Sequence, residues 1–571
     1  MSKRAAFVIF LLTCVLSFTM AAQAQTGLVD VYGRSLPADA APYEFQVWQE
    51  LCSSSRRETA LMSSVSVYER ICDLHGYDQL GDPLVTFDSN LNLIPGAAER
   101  WEVSADGLSW TFYLRPGQMW SDGTPLTMYD YLATYRYMAD PDSDYDFAWA
   151  WSGIVQGWDQ AVLRRLRPEE ISIIVLNDLS MRVRAVAPTP ILPALFSFWA
   201  PMQAAALERY GSPAYLLNPE TSVSSGPFVL REYVPGQRLV LQANPTYTGF
   251  RRPYLREIRG IYGNQITGSF LAFQNGDVDR VHDTALLPTD MPVIAGTPAL
   301  ANQLRTQSGN FSTDLLVFDI TTPPFDNFNV RLAFARALDR ELVTNAVYGT
   351  RLPMAEQSFL VPGFPVPTGD ADSVQVYECS TARSLLSAAG YPNGDNFPPL
   401  EVRLSGRSEL TEQLIVAAVN SISNCLNVQI TVNSLDEPAF MRGFFAQRAA
   451  APLSAVSLDY LDPANPIGLW QAARHLSWAE ADLLDASGRI VGDASLRSQL
   501  YAEASRLLNE DVTALLIATH PARDLFQPYV AGECLTPNAL GVSAFAWGNV
   551  GCWGSLYITN GVLERGTYRT R

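Results

Sequence analysis

A chain of 571 residues is too long for one compact core, so two or three domains are expected. Its 48% hydrophobic and 17% charged residues describe a folded globular protein and exclude one dominated by disorder. With 58 acidic against 40 basic residues, a net charge of −18, the surface repels nucleic acid and anionic lipid.

Lys3 and Arg4 precede an apolar run from Ala5 to Met20, and Ala22-Gln23-Ala24 follows as a small-x-small cleavage site. That pattern is a secretory signal peptide, with residues 1–24 removed. Cys14 is a poor lipid-attachment site, because Thr13 stands where such a box carries Gly, Ala or Ser. Past the leader remain Cys52, Cys72, Cys379, Cys425, Cys534 and Cys552. An even set in an exported chain implies disulfides, and the sequence-local pairs Cys52–Cys72, Cys379–Cys425 and Cys534–Cys552 are the most economical among several connectivities. No pair has C-x-x-C spacing and the chain holds only 4 His, so neither a metal site nor a cofactor is expected.

From Leu93 to Tyr131 the chain is dense in local signals. Trp110, Phe112 and Leu114 alternate with Thr111 and Tyr113, the period of a half-buried strand. Ala105-Asp106-Gly107 is the turn into it, Pro116-Gly117 the break after it, and Ser121-Asp122-Gly123-Thr124-Pro125 a second turn. Thr127 and Asp130 form a capping box for the helix that follows. Asp140, Asp142, Asp144 and Asp146 come next. An EF-hand would need Gly and Glu where Tyr145 and Trp151 stand, so a solvated acidic loop is the expectation. Trp149, Trp151 and Trp158, with Trp470 and Trp478 far downstream, are either core residues or platforms for stacking a sugar ring. Ile191 to Leu207 is apolar but interrupted by Pro193 and Pro201, which favours buried core over a membrane span.

Gly226 to Tyr247 predicts a hairpin around Pro235-Gly236, with Phe228, Leu230, Leu239 and Leu241 on one face and Asn244-Pro245 ending it. Pro323 to Gly349 predicts a helix capped by Asn327 or Asn329, with Val330, Phe334, Ala337, Leu338 and Leu342 on one face. Arg331, Asp339 and Arg340 would lie on its polar side as solvated or interdomain charges. Ser380 to Gly390 predicts another helix, with Ala382, Leu385, Leu386 and Ala389 inward. Late in the chain, Val456-Ser457-Leu458-Asp459-Tyr460-Leu461-Asp462-Pro463 concentrates carboxylates around a tyrosine. Nucleophile elbows, zincin helices, P-loops and dinucleotide fingerprints are absent from the sequence.

In order, these blocks resemble the solute-binding proteins of peptide-type ABC importers, the oligopeptide- and dipeptide-binding family. The 93–131 string is similar to that family's "P-x-L-A-x-x-W-x-x-S-x-D-G-x-x-x-x-F-x-L-R-x-G-x-x-W-x-D-G-x-P-x-T-x-x-D". The 226–247 hairpin, the 323–349 and 380–390 helices and the 456–463 segment match further blocks, so the likeness runs from about Tyr68 to about His520. It implies an α/β fold of the type II periplasmic binding protein class with three lobes and a ligand cleft between lobes I and III. Carried onto this chain, lobe I spans 25–68, 198–300 and 521–571, lobe II spans 69–197, and lobe III spans 301–520.

The resemblance also implies a binder and not an enzyme: a periplasmic monomer that delivers a peptide to inner-membrane permease subunits. Asp459 matches the family carboxylate that pairs with the ligand's α-amino group, and Val456, Ser457, Leu458 and Tyr460 flank it as ligand-binding residues. Val456 stands where the family carries Trp. Arg403, Arg407 and Arg448 are available to a ligand carboxylate, though no motif selects one. Two alternatives stay open: an oligosaccharide or other solute in the same fold, and, behind it, a secreted hydrolase with paired carboxylates.

Overall fold

The computed structural model describes residues 29–53, 79–307, 313–348, 374–435, 454–456, 462, 478–519 and 522–565, apart from a few positions within these ranges. The leader and Cys72 lie outside them.

The 93–131 block folds largely as its pattern predicts. Ser109–Leu114 is a strand with Trp110, Phe112 and Leu114 buried and the intervening residues half-exposed. It lies between Ala98–Val103 and Ser180–Arg184, and Ile173–Asn177 completes a four-stranded antiparallel sheet. Met128–Ala139 is the helix, and its capping box is formed: Thr127 N–H donates to Asp130 Oδ2 at 2.9 Å. The other oxygen of Asp130 accepts from Ala204 N–H at 2.9 Å, so one carboxylate caps this helix and holds the start of the Ala204–Tyr210 helix. Ile191 to Leu207 is buried core around these elements, with Leu192, Phe196 and Met202 almost fully covered. Among the described residues no helix is long and apolar enough to cross a membrane.

The larger sheet has seven strands gathered from three distant parts of the chain. Its order is Leu304–Gln307, Ala522–Phe526, Arg280–Val281, Val47–Ser53, Glu257–Gly263, Arg238–Ala243 and Phe228–Val234. The predicted hairpin supplies the last two, with Leu230 opposite Leu241. A third group belongs to the 313–519 region: Thr313–Val317 between Ser454–Val456 and Ala514–Thr519, with the parallel pair Leu400–Ser405 and Ile430–Leu435 alongside.

Burial divides these elements differently from their sheets. One hydrophobic cluster runs through the four-stranded sheet and most of the seven-stranded one, from Ala41 to Val562. A small cluster around Phe270, Phe273 and Leu525 sits against the far strands of the larger sheet. A separate cluster, from Leu316 to Ala518, fills the 313–519 region. The protein is therefore a large body with two sheets on a shared core and a small body with a core of its own.

The large body is tied internally by a buried ion pair. Arg251 donates to Asp82 Oδ1 at 2.5 Å, both side chains 1% exposed, while Tyr247 donates to Asp82 Oδ2 at 2.7 Å and Tyr131 to the Asp82 carbonyl at 2.8 Å. The 79–84 segment reaches these partners only by close backbone contact. A Cβ on Gly226 would lie 2.3 Å from the Gly81 nitrogen, which no side chain allows.

Two expectations are corrected. The 323–349 helix is two helices, Phe328–Ala337 and Arg340–Tyr348. Asn327 caps the first through Asn329 N–H at 2.9 Å, and Asp339 caps the second through Leu342 N–H at 3.0 Å. The axis changes at Leu338, so Leu342 leaves the common apolar face and is 62% exposed. Next, Arg331 and Arg340 are not solvated: each is 4% exposed. Arg331 donates to the Phe325 and Asp511 carbonyls and the Asp511 carboxylate, and Arg340 to the carbonyls of Leu516 and Gln375. Each tightens the small body by satisfying carbonyls of other segments. Leu304–Gln307 pairs with Ala522–Phe526 in the large body's sheet, so the chain leaves that body after 307.

Among the described residues, two disulfides staple the fold. Cys379–Cys425 joins the start of the Cys379–Ala388 helix to the end of the Glu409–Leu426 helix, with Cα atoms 5.8 Å apart, in the small body. Cys534–Cys552 closes a loop in the large body's core, with Cα atoms 5.2 Å apart.

Candidate functional site

The chain crosses between the bodies at two places that lie side by side. Outbound, Leu304–Gln307 of the large body is followed by Thr313–Val317 of the small one; inbound, Ala514–Thr519 is followed by Ala522–Phe526. On the large-body side Gln307 pairs with Ala522, and on the small-body side Thr313 pairs with Thr519. The strands that flank the two crossings are thus paired side by side in both bodies, an arrangement that suits a hinge.

The roots of the crossings are stiff on the large-body side. Arg280 lies between Glu50 Oε1 at 3.0 Å and Asp524 Oδ1 at 2.8 Å, all three buried, and Glu50 also accepts from Trp48 Nε1 at 3.1 Å. Next to it, Asp279 accepts from Gln49 N–H at 2.6 Å and from the Tyr529 hydroxyl at 2.7 Å. Three neighbouring strands are thereby locked by side chains as well as by their ladder.

Val456 lies beside the outbound crossing. Ser454–Val456 runs antiparallel to Thr313–Val317, with Val456 opposite Thr313, the first strand residue of the small body. Ser457, Leu458, Asp459 and Tyr460 lie outside the described residues. Asp462 is described. It receives Arg497 of the Ala494–Glu510 helix in a two-armed ion pair, 2.6 Å on each arm. Arg497 in turn packs 4.9 Å over the ring of Tyr501, whose hydroxyl pKa is raised chiefly by burial. No sequence motif singled out Arg497. Its place one turn inside a helix N-capped by Asp493 was the only available hint.

Of the candidate carboxylate partners, Arg403 is engaged by Glu401 at 3.1 Å on the Leu400–Ser405 strand, and Glu401 also accepts from Asn433 at 2.8 Å. The Asn433 hydrogen bond first, then Arg403, holds the Glu401 carboxyl below its ordinary pKa. Arg407 and Arg448 lie outside the described residues.

The tryptophans separate. Trp151 and Trp158 are completely buried and stacked, ring centroids 5.2 Å apart, and Trp158 donates to the Ala148 carbonyl at 2.7 Å. These two are core and cannot stack on a sugar. Trp470 lies outside the described residues, and the side chains of Trp149 and Trp478 are not among those described. In the acidic run, Asp140 accepts from the Asp142 N–H at 2.9 Å and Asp142 binds Arg164 at 2.6 Å. Asp144 and Asp146 lie outside the described residues. Among the described residues no group of His, Cys, Asp and Glu is placed to hold a metal ion.

Residues 92–477 match the family described as bacterial extracellular solute-binding proteins, family 5 Middle. The probable deoxycholate-binding periplasmic protein YgiS of Escherichia coli is 26% identical over 468 residues, covering 79% of this chain and 85% of YgiS. The periplasmic oligopeptide-binding protein OppA of Salmonella typhimurium is 23% identical over 454 residues, covering 77% of this chain and 81% of OppA. The solved murein tripeptide binding protein MppA of Escherichia coli aligns with a TM-score of 0.71 at 21% identity, covering 90% of this chain and 98% of MppA. At that identity the likeness to MppA is one of fold.

Proposed function

We propose, for a chain that belongs to the bacterial extracellular solute-binding proteins of family 5, that the solute is a peptide held between the two bodies. The protein captures it, closes about the paired crossings and presents it to the permease of an ABC importer, with no bond chemistry of its own. In this reading the chain is exported, residues 1–24 are removed, and it works in the periplasm as a monomer. Lobes I and II are the large body, and lobe III is the small body, opening at Thr313.

The observation that carries the peptide reading is the pairing of Val456 with Thr313. It sets the root of the D-Y-x-D-P segment at the edge where the small body meets the crossing. Asp459, three positions on, is the proposed anchor for the ligand's ammonium group, flanked by Ser457, Leu458 and Tyr460. A carboxylate facing an ammonium in a site shielded from water makes strong charge-assisted bonds. Backbone groups of both bodies would pair with an extended peptide as with an added strand, which leaves side-chain preference loose. The relative named as an oligopeptide-binding protein supports this reading.

One observation favours a second solute. The relative at 26% identity is named for deoxycholate, a rigid apolar ring system with a carboxylate and no ammonium. Such a ligand has no use for Asp459. The sugar reading is weakened by the burial of Trp151 and Trp158. Mass spectrometry of the solute retained by protein purified without denaturation separates these cases. Peptide masses support the proposal, and a steroid acid or an oligosaccharide overturns it.

A further inference from the structure

The turn before the Ser109–Leu114 strand is a surface turn of the large body, yet Gly107 at its tip is buried. Its cover comes from two directions. A Cβ built on Gly107 would lie 3.1 Å from Cβ of Pro188, also in the large body, and 3.3 Å from Cγ2 of Val491. Val491 belongs to the small body, in the loop between the Trp478–Gly488 and Ala494–Glu510 helices. The bodies thus touch at Gly107, Pro188 and Val491, in addition to their covalent connections at 307–313 and 519–522.

We propose that Val491 is a latch, seated in a notch formed by Gly107 and Pro188, that holds the two bodies in the arrangement seen here, a role that rests on the proposed closing of the bodies about a solute. Three features fit the role. The notch is rigid: Asp106 accepts from Leu108 N–H at 3.1 Å, Gly107 N–H donates to the Ser104 carbonyl at 2.9 Å, and Ser109 N–H donates to Ser104 Oγ at 2.9 Å. Gly107, at φ 70°, presents backbone without a side chain, so the apolar tip of Val491 can approach closely. The contact is small, and Val491 keeps 36% of its surface in solvent, as suits a catch that must release. The latch loop also leads directly into the helix whose Arg497 grips Asp462. The contact with Gly107 and the grip on Asp462 are therefore carried by one helix end.

The test needs no ligand. Spin labels at Ile174→Cys on the large body and Val416→Cys on the small body, both exposed positions, report the distance between bodies by pulsed electron resonance. Val491→Asp places a charge against the notch and is expected to shift the distance distribution to longer values, while Val491→Leu keeps the parent distribution. Pro188→Ser approaches the same contact from the large body and is expected to shift it in the same direction, so the test survives if one variant folds poorly. Circular dichroism and the unfolding midpoint should stay at parent values for each variant that is scored. A parent-like distribution in folded Val491→Asp or Pro188→Ser overturns the latch.

Discussion

Arg497 grips Asp462 with both arms of its guanidinium, Nη1 on Oδ2 and Nη2 on Oδ1, each at 2.6 Å. The pair sits at 13% and 20% side-chain exposure, shielded enough for its charges to matter. It fixes one flank of the 457–461 stretch to a helix, while the Val456–Thr313 pairing fixes the other to a sheet. A double-mutant cycle on unfolding with Arg497→Met and Asp462→Asn should return a coupling of about 1 kcal/mol or more. Additive single effects would show that the pair contributes nothing beyond its separate side chains.

Asp459→Ala tests the proposed ammonium anchor. With the peptide identified by mass spectrometry, affinity should fall by at least about tenfold, equivalent to ~1.4 kcal/mol, because an ammonium loses its charged partner. The unfolding midpoint should hold, since the side chain serves the ligand. Calorimetry that finds parent affinity removes the anchor role.

Asp130 accepts backbone donors from two helix starts, Thr127 N–H and Ala204 N–H, both at 2.9 Å. Asp130→Asn keeps the shape but turns an NH2 group toward an N–H donor. The expected loss is roughly 2 kcal/mol of large-body stability, read by denaturant unfolding. A change under ~0.5 kcal/mol would mean that water replaces the cap.

The two bodies have separate cores, and each holds one of the two described disulfides. Replacing Cys379 and Cys425 by Ser should therefore cost about 2–4 kcal/mol in the small body alone. Calorimetry should show one transition moving down while the other keeps its midpoint. A single transition that moves as a whole would show that the bodies unfold as one unit.

Buried tyrosines set the alkaline limit. Tyr131, Tyr135 and Tyr247 have hydroxyls held well above the ordinary value of 10.0, with burial as the leading cause, and burial pushes Tyr43 to about 12. A group whose folded pKa is raised contributes stability that is fully present below its unfolded pKa and lost as pH rises through the folded one. Stability from these residues should hold up to about pH 10 and decline toward pH 12 and beyond. Tyrosinate absorbance should then appear in two stages, the later one coinciding with loss of the folded circular dichroism signal. Complete ionisation near pH 10 with the fold intact would contradict this.

How far the sequence reached depended on how local each cause is. Strand alternation at Trp110, Phe112 and Leu114, the Thr127–Asp130 capping box, the 228–243 hairpin and the Asn327 cap all arise within a few residues, and all were legible. The resemblance carried by those blocks gave the family and the fold class. Causes that join distant segments were not legible. One miss was local: periodicity ran the helix predicted from Pro323 to Gly349 straight through Leu338, although the Asp339 carboxylate caps a new helix through Leu342 N–H three residues on. Arg331 and Arg340 looked like surface charges, since the carbonyls that receive them come from residues far along the chain. Tertiary structure alone decided that two sheets share one core while the small body has another, that Arg497 holds Asp462, and that Val491 meets Gly107. Each of these is a contact between segments whose separation in sequence carries no period, so only the folded chain brings the partners together.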